Sequence, residues 1–396
     1  MFIVFHVALN EVDMGVLFMM PVWDAPSEVW MQRMLEELGS DLKSVVCWDT
    51  NGEKRWRNSA RAISLFPQTK IGKIFEKSLN IVGIPPKTIF EKKLLQEMGK
   101  NDIDKILVNY GEFASNFMTI WQRTSIPLFI HFHGYDATFN LRNENNPNKL
   151  FFPASYLENI IELSKRSVFI ANSNFTKSLL ISAGIPENVI HIKYLGVPIP
   201  KQIKQHNNKK KLRILHLGRL VDFKSPDRTL QAFEIVRNNG IDSELIIAGD
   251  GPLRVTCELM RSRSKYRESI HLLGAVDSQT AQALLSTSDI FTQHNIEGEI
   301  TKQSECFGVS IIEAMAAGLP IVGTKHGGVL ETVVDGETGF LVTPGDVEGQ
   351  ANAIITLHQN PQLRQKLGNK GRLHVQNKFS YEIERKRLQT ILNMEQ

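Results

Sequence analysis

Residues 305–320 read ECFGVSIIEAMAAGLP, a short loop that runs into a helix. Gly308 allows a tight turn and the close approach of a ligand. Residues 309–317 are good helix formers with no breaker, and Gly318 followed by Pro320 is typical of the end of a helix. Because the first N–H groups of a helix have no partner within it, this stretch predicts an anion site at a helix N-terminus.

Two glutamates flank the start of this predicted helix. Glu305 lies in the loop, and Glu313 falls about one turn into the helix. A carboxylate is a poor ligand for phosphate but a good acceptor for sugar hydroxyls. The N–H groups of Phe307, Gly308 and Val309 would bind a diphosphate between the two carboxylates. This combination is typical of a nucleotide-sugar site.

The composition of the whole chain is that of a soluble globular protein. Its 396 residues are 42% hydrophobic and 22% charged, which is enough chain for two domains. The net charge of +4 argues against nucleic acid as the main partner. Three scattered cysteines without metal-ligand or redox spacing fit a reducing cytosol, so we expect a cytoplasmic protein. The apolar residues 1–9 are too short to span a bilayer, and we interpret them as a buried first strand.

Apolar strand-like runs alternate with helical stretches, which predicts parallel sheets with helices on both faces. The fold class is therefore α/β, with two Rossmann-like doubly wound parallel-sheet domains facing a cleft where ligands bind. Residues 201–211 are polar and basic and are interpreted as a linker between domains 1–200 and 212–379. The predicted strands include 105–108, 127–131, 167–170, 212–216, 244–248, 270–273, 289–292 and 320–323.

The residues that follow strand 212–216 include two cations suited to a diphosphate. Arg219 can bind phosphate bidentately, and Lys224 adds a mobile point charge. Cations beside a turn are common at protein surfaces and need not bind a ligand. The phosphate-binding interpretation of Arg219 and Lys224 therefore depends on the predicted anion site at residues 307–309, in the same half of the chain. Gly249 and Gly251 follow the next strand, where backbone edges would read a nucleobase or, as we prefer, form plain turns.

His133 stands before a glycine at the end of strand 127–131. It is a candidate for orienting the sugar or assisting proton transfer, and the alternative of a packed structural histidine stays open. We expect His131 to point the other way by strand alternation and to be packed. No Walker A loop, HExxH, GxSxG, zinc-like or Asp-x-Asp pattern occurs. We therefore expect neither a metal nor a cofactor, and Arg219 with Lys224 would supply the positive charge.

A basic amphipathic stretch covers residues 54–100, where lysines alternate with apolar residues at helical spacing. One interpretation is contact with an anionic membrane surface. The other is a set of surface helices with solvated lysines, because glutamates within the stretch dilute its charge. The sequence leaves both open.

These segments, in this order, resemble a retaining glycosyltransferase of family 4, with the two-domain GT-B architecture. The likeness is dense over residues 212–342, where Glu305 to Glu313 matches the family's E-x7-E motif. Gly327-Gly328 follows it, and His133 to Asp136 resembles the family's HGxD segment.

Three departures from the family pattern stand out. Gln293-His294-Asn295 replaces a common Pro-Ser, and a polar insertion, 296–304, follows it. The Gln-His pair is similar to bacterial exopolysaccharide glycosyltransferases. Gly15 stands alone where many members carry a glycine-rich phosphate loop.

The resemblance implies a role for each candidate residue. Arg219 and Lys224 would bind the donor diphosphate, Glu313 the ribose, and the amides of 307–309 phosphate or sugar. Glu305 would position the donor sugar at the catalytic centre. The resemblance also implies that domain 1–200 binds the acceptor, that domain 212–379 binds the nucleotide-sugar, and that a last helix, about 380–396, crosses back to the first domain.

The sequence therefore predicts sugar transfer from a nucleotide-diphosphate-sugar donor to an acceptor hydroxyl, with retained configuration. The acceptor would be a saccharide or a lipid-linked saccharide, handled in the cytoplasm or peripherally on the inner face of the membrane. The base of the donor, uridine or guanosine, stays open. The alternatives are a nucleotide-sugar epimerase or hydrolase on the same fold, and a non-catalytic nucleotide-sugar sensor.

Overall fold

The computed structural model describes residues 15–23, 29–57, 59–65, 86–201 and 211–394. The chain divides into two compact units after residue 130. Residues 202–210 of the expected linker and the apolar residues 1–9 lie outside the described residues, so the predicted domain limits and first strand stay predictions. Within the described ranges, no helix is long and apolar enough to cross a membrane.

The first unit contains a mostly parallel sheet. Its central strand β1 pairs in parallel with β2 on one side and β5 on the other, and β2 pairs with β4. All four residues of β1 are buried, as expected for a strand covered on both faces. The bounds are β1 Val16–Met19, β2 Leu42–Cys47, β3 Arg55–Trp56, β4 Ala60–Ser64 and β5 Lys105–Asn109, with helices α1 Val29–Leu38, α2 Pro86–Met98, α3 Gly111–Ser115 and α4 Met118–Trp121.

Gly15 lies directly before β1 and packs against the chain that leads into β5. Its N–H donates to the Asp104 carboxylate at 2.9 Å, and a Cβ there would lie 1.8 Å from the carbonyl oxygen of Asp102. A phosphate loop of a doubly wound sheet follows a strand, whereas Gly15 precedes one. The position of Gly15 is therefore explained by close backbone packing.

The second unit contains a six-stranded parallel sheet in the order β13-β12-β11-β14-β15-β16. This is the doubly wound order, in which the direction of winding reverses between the first and fourth strands, here β11 and β14. Ligands of such sheets bind beyond the carboxyl ends of the strands at that reversal. The bounds are β11 Leu212–Leu217, β12 Ser243–Ala248, β13 Ile270–Gly274, β14 Ile290–Thr292, β15 Ile321–Thr324 and β16 Gly339–Val342.

The second unit also contains further strands and the remaining helices. Strand β6, Leu128–Phe132, spans the unit boundary; β9, Ser167–Ala171, pairs with β10, Ile190–Ile192; and β7, Arg142–Asn143, forms a hairpin with β8, Asn146–Leu150. The helices are α5 Ser155–Ser164, α6 Asn174–Ser182, α7 Pro226–Asn238, α8 Arg254–Arg263, α9 Ser278–Thr287, α10 Val309–Ala316, α11 Val329–Thr332, α12 Val347–Gln359, α13 Pro361–Lys378 and α14 Tyr381–Leu392.

The last helix, α14, lies against the segment that follows β10. Glu384 forms a buried ion pair with Lys193 and accepts a hydrogen bond from the Gly196 N–H at 2.6 Å. Arg387 donates to the carbonyl oxygen of Ile192 at 2.8 Å. These contacts fix the end of the chain to residues far away in sequence.

Candidate functional site

The loop after β11 is compact because two glycines that follow the neighbouring strand β12 lie directly against it. A Cβ on Gly249 would lie 1.9 Å from the carbonyl oxygen of Gly218, and one on Gly251 would lie 2.6 Å from that of Leu220. Only glycine allows this approach. Gly249 and Gly251 therefore shape the cation-bearing loop, which agrees with the interpretation of both as turn residues.

Arg219 and Lys224 both contact the same aromatic ring, that of Phe223. The guanidinium carbon of Arg219 is 5.8 Å from the centroid of the Phe223 ring, and Nζ of Lys224 is 5.7 Å from it. Arg219 is exposed, and among the described residues no carboxylate forms an ion pair with it. The structure thus brings together the two cations predicted from the sequence, with one of them available to an anionic ligand.

Lys224 meets Glu305 in an ion pair. The two side chains are only 12% and 13% exposed, so their attraction is screened less than that of a surface pair. The pair joins the loop after β11 to the loop after β14, at the reversal of the sheet. The predicted phosphate-binding cation and the predicted sugar-binding carboxylate therefore lie side by side.

Helix α10 begins where the sequence predicted. Gly308 precedes Val309 in the left-handed region, with φ +90°, and its carbonyl accepts from the N–H of Ile311 at 3.0 Å. The helix ends before Gly318, which has φ +83°. Glu313 is half-buried and stands four residues into the helix, so it lies one turn from the N–H groups at the helix start.

Gly327 and Gly328 pack against the backbone of the Glu305 loop. The Gly328 N–H donates to the carbonyl oxygen of Glu305 at 2.8 Å. A Cβ on Gly327 would lie 2.2 Å from that oxygen, and one on Gly328 would lie 2.0 Å from the carbonyl oxygen of Cys306. These glycines therefore admit the close approach of the protein's own backbone.

The HGxD segment packs against the same loop. One carboxylate oxygen of Asp136 accepts from the N–H groups of His133 and Gly134, both at 2.9 Å. Gly134 has φ +124°, and a Cβ there would lie 2.7 Å from Cβ and Sγ of Cys306. The structure thus places Gly134, the residue after His133, against Cys306, the residue after Glu305.

The predicted orientation of His131 is wrong. Residues two apart in a strand point to the same face, and the His131 and His133 rings lie with centroids 4.1 Å apart. The prediction that His131 is buried is confirmed. Burial and the charge of Lys193 lower the pKa of His133 well below its usual value, so its imidazole is neutral at pH 7.

Gln293, His294 and Asn295 are fully buried. Nε2 of Gln293 donates to the carbonyl oxygen of Leu217 at 2.7 Å, which ties the end of β14 to the end of β11. Nε2 of His294 accepts from the Gly345 N–H at 2.8 Å, so its proton lies on Nδ1 and is donated to Gln350. This departure from the family pattern therefore has a structural role.

Asp222 is a residue of the site that the sequence did not reveal. Its carboxylate accepts from the N–H groups of Ile300 and Thr301, at 3.0 and 2.8 Å, and from the Thr301 hydroxyl at 2.8 Å. It thereby ties the polar insertion 296–304 to the loop of Arg219 and Lys224. Partners 79 residues apart leave no signal in a single sequence.

Comparisons with known proteins find relatives for part of the chain. Residues 198–374 match the family described as glycosyl transferases group 1. The chain is 29% identical over 169 residues to the N-acetyl-alpha-D-glucosaminyl L-malate synthase of Bacillus anthracis, covering 43% of this chain and 42% of that protein. It is also 29% identical over 180 residues to the capsular polysaccharide biosynthesis glycosyltransferase CapM of Staphylococcus aureus, covering 45% of each. The match thus spans less than half the length of these relatives.

A solved structure extends the likeness to the whole fold. The crystal structure of Anabaena Alr3699/HepE in complex with UDP-glucose superposes with a TM-score of 0.73 at 20% identity, covering 96% of this chain and 100% of that one. The chain thus has the predicted GT-B fold. Matches that cover less than half of the chain confirm the predicted resemblance to family 4 glycosyltransferases of the bacterial polysaccharide type.

Proposed function

We propose that this protein is a retaining glycosyltransferase that moves a hexose from a nucleotide-diphosphate-sugar to an acceptor hydroxyl. The observation that carries the proposal is the pairing of Lys224 with Glu305 beside the start of α10. In the donor, the diphosphate is bonded directly to the sugar. A cation for the phosphate and a carboxylate for the sugar must therefore be neighbours, as they are here.

The charge of the site suits a diphosphate leaving group. Arg219 and Lys224 both contact the Phe223 ring, and the N-terminal end of α10 adds the positive end of a helix dipole. Negative charge grows on the diphosphate as the bond to the sugar breaks. Groups already aimed at that charge lower the barrier without reorganising.

The remaining residues would each bind a different part of the donor. Glu313, one turn into α10, would accept from the ribose hydroxyls, and the amides of 307–309 would bind phosphate or sugar. Glu305 would hold the sugar hydroxyls and orient the anomeric carbon. The neutral His133 would orient the sugar or accept a proton.

We infer a front-face transfer that needs no protein nucleophile. The bond from the anomeric carbon to the diphosphate breaks, and the acceptor oxygen bonds to the same face of that carbon. The acceptor's proton passes to the departing phosphate oxygen, so the products are the glycoside and a nucleoside diphosphate. Retention of configuration follows because both bonds lie on one face of the sugar.

The acceptor we propose is a saccharide or lipid-linked saccharide of polysaccharide or glycolipid biosynthesis. The support is the naming of CapM as a capsular polysaccharide enzyme and the basic stretch 54–100. Residues 66–85 of that stretch lie outside the described residues, so the membrane contact rests on sequence alone. Co-sedimentation with vesicles of anionic and of neutral lipid tests it, since only anionic vesicles should retain the protein.

Turnover with a panel of uridine and guanosine diphosphate-sugars tests the proposed reaction. We expect released nucleoside diphosphate and, by NMR, a product with the donor's anomeric configuration. Glu305→Gln should lower turnover about a hundredfold or more, by analogy with loss of a preorganised site group. The matched control is Glu297→Gln, whose carboxylate is 60% exposed and pairs with Lys302.

Other outcomes would replace the proposal. An inverted anomer, or wild-type turnover in Glu305→Gln, would refute the retaining mechanism or the role of Glu305. Isomerised or hydrolysed donor in the absence of any acceptor would favour an epimerase or a hydrolase. Donor binding without turnover across the acceptor panel would favour a sensor.

A further inference from the structure

We propose that Glu331 is a positioning residue that holds the 305–308 loop in its donor-binding conformation. The inference rests on the proposed function, because it concerns the same site. Glu331 lies on α11, outside the E-x7-E motif, and is half-buried. It acts through two connected sets of contacts, one along the backbone and one through an aromatic stack.

The Glu331 carboxylate is held firmly at the N-terminal end of α6. One oxygen accepts from the N–H of Phe175 at 2.8 Å, and the other accepts from the Asn174 N–H at 2.8 Å and from its side-chain amide at 2.9 Å. Ser173 caps the next amide, that of Thr176, at 2.9 Å. The N–H groups of Asn174, Phe175 and Thr176 are thus satisfied, the first two by the Glu331 carboxylate and the third by the Ser173 hydroxyl.

The first connection to the site runs along the backbone. Gly327 and Gly328 immediately precede α11, and neither has room for a Cβ against the carbonyl oxygens of Glu305 and Cys306. The Gly328 N–H also bonds to the Glu305 carbonyl at 2.8 Å. A displacement of α11 must therefore move the backbone that carries the Glu305 carboxylate.

The second connection runs through Tyr194. Its hydroxyl donates to Glu331 at 3.0 Å, and its ring stacks on Phe307, with centroids 5.7 Å apart and planes at 19°. Phe379 packs edge-on against both rings. Burial, and then Glu331, raises the pKa of Tyr194 to about 12, so its hydroxyl keeps its proton and donates. The Phe307 ring thus packs against both Tyr194 and Phe379.

Glu331→Gln is the direct test of this positioning role. An amide nitrogen in place of one oxygen faces N–H donors and cannot accept from them. Tyr194→Phe is the milder variant, because it removes one hydrogen bond and keeps the stack. Glu337→Gln is the matched control, since its carboxylate is 61% exposed and pairs only with Lys370 among the described residues.

The readout is the labelling rate of Cys306, a buried cysteine that lies between Glu305 and Phe307 in the sequence. Timed alkylation with peptide mass spectrometry also follows Cys47 and Cys257, which are buried elsewhere and report global unfolding. We expect Glu331→Gln to accelerate labelling of Cys306 at least tenfold, with the other two unchanged. Tyr194→Phe should have a smaller effect, and Glu337→Gln none. Equal acceleration of all three thiols, or no acceleration of Cys306, would overturn the proposal.

Nucleotide binding separates this inference from the proposed function. Titration with UDP and with GDP should show at least tenfold weaker binding in Glu331→Gln than in the wild type. Wild-type affinity in the variant would overturn the positioning role even if Cys306 becomes reactive. If the wild-type protein binds neither nucleotide, the proposed function fails, and the thiol rates still decide whether Glu331 holds the loop.

Discussion

The buried ion pair between Lys193 and Glu384 gives the sharpest stability prediction. The two side chains are 0% and 2% exposed, and Glu384 has one further bond, to the Gly196 N–H. Lys193→Met would leave a carboxylate with its charge uncompensated inside the protein. Breaking a buried pair in this way costs about 3–5 kcal/mol. Lys165→Met removes a cation paired at the surface, where both side chains are more than half exposed, and should cost under about 1 kcal/mol.

The assay is urea denaturation followed by far-UV circular dichroism. Tryptophan fluorescence is unsuitable, because all five tryptophans lie before residue 131 and Lys193 lies in the other unit. The double variant Lys193→Met/Glu384→Gln should recover at least about 1 kcal/mol, since a neutral amide still accepts from Gly196 without a buried charge. A cost below about 1 kcal/mol for Lys193→Met, or strictly additive effects in the double variant, would refute the reasoning.

Three further predictions follow from the same structure. Gly327→Ala should abolish nucleotide binding in a titration, because the alanine Cβ would lie 2.2 Å from the carbonyl oxygen of Glu305. The control Gly336→Ala should bind normally, because Gly336 also has positive φ but no atom lies within 4 Å of the added Cβ. Burial, and then Lys224, lowers the pKa of His216 to about 3, so between pH 6.5 and 3 the unfolded state binds one proton more than the native state, and stability falls as the pH is lowered through this range. His216→Leu should flatten the slope of unfolding free energy against pH by about 1.4 kcal/mol per unit between pH 6 and 4; an unchanged slope would contradict a buried neutral imidazole. The native protein should resist thiol reagents until it is denatured, because burial raises the pKa of all three thiols; rapid labelling of the native wild type would contradict this.

Much of the fold could be predicted from the sequence because its strands are buried on both faces. The predicted run 167–170 is apolar after its first serine, every residue of the strand is buried, and the structure extends it only to Ala171. The start and end of α10 were also predictable, since Gly308 and Gly318 both occupy positive φ that other residues avoid. Local chemistry decided these features, so a single sequence was sufficient.

The features that the sequence missed depend on partners distant in the chain. Asp222 binds the insertion near Thr301, and Glu331 binds the start of α6, 157 residues away. Nothing in the local pattern distinguishes these carboxylates from surface ones. The error on His131 had another cause, because the strand period of two places it on the face of His133.

The central claim is that Arg219, Lys224, Glu305 and the start of α10 form a nucleotide-sugar site. The most direct test is a thermal-shift titration with nucleoside diphosphates and nucleotide-sugars, with and without magnesium. At a hundred times Kd, a ligand of the folded state adds about 2.7 kcal/mol of stability. We predict a clear shift with one nucleotide family, lost in Arg219→Ala/Lys224→Ala and kept in the control Arg267→Ala, whose side chain is 64% exposed. Flat curves for every nucleotide, or an undiminished shift in the double variant, would contradict the site.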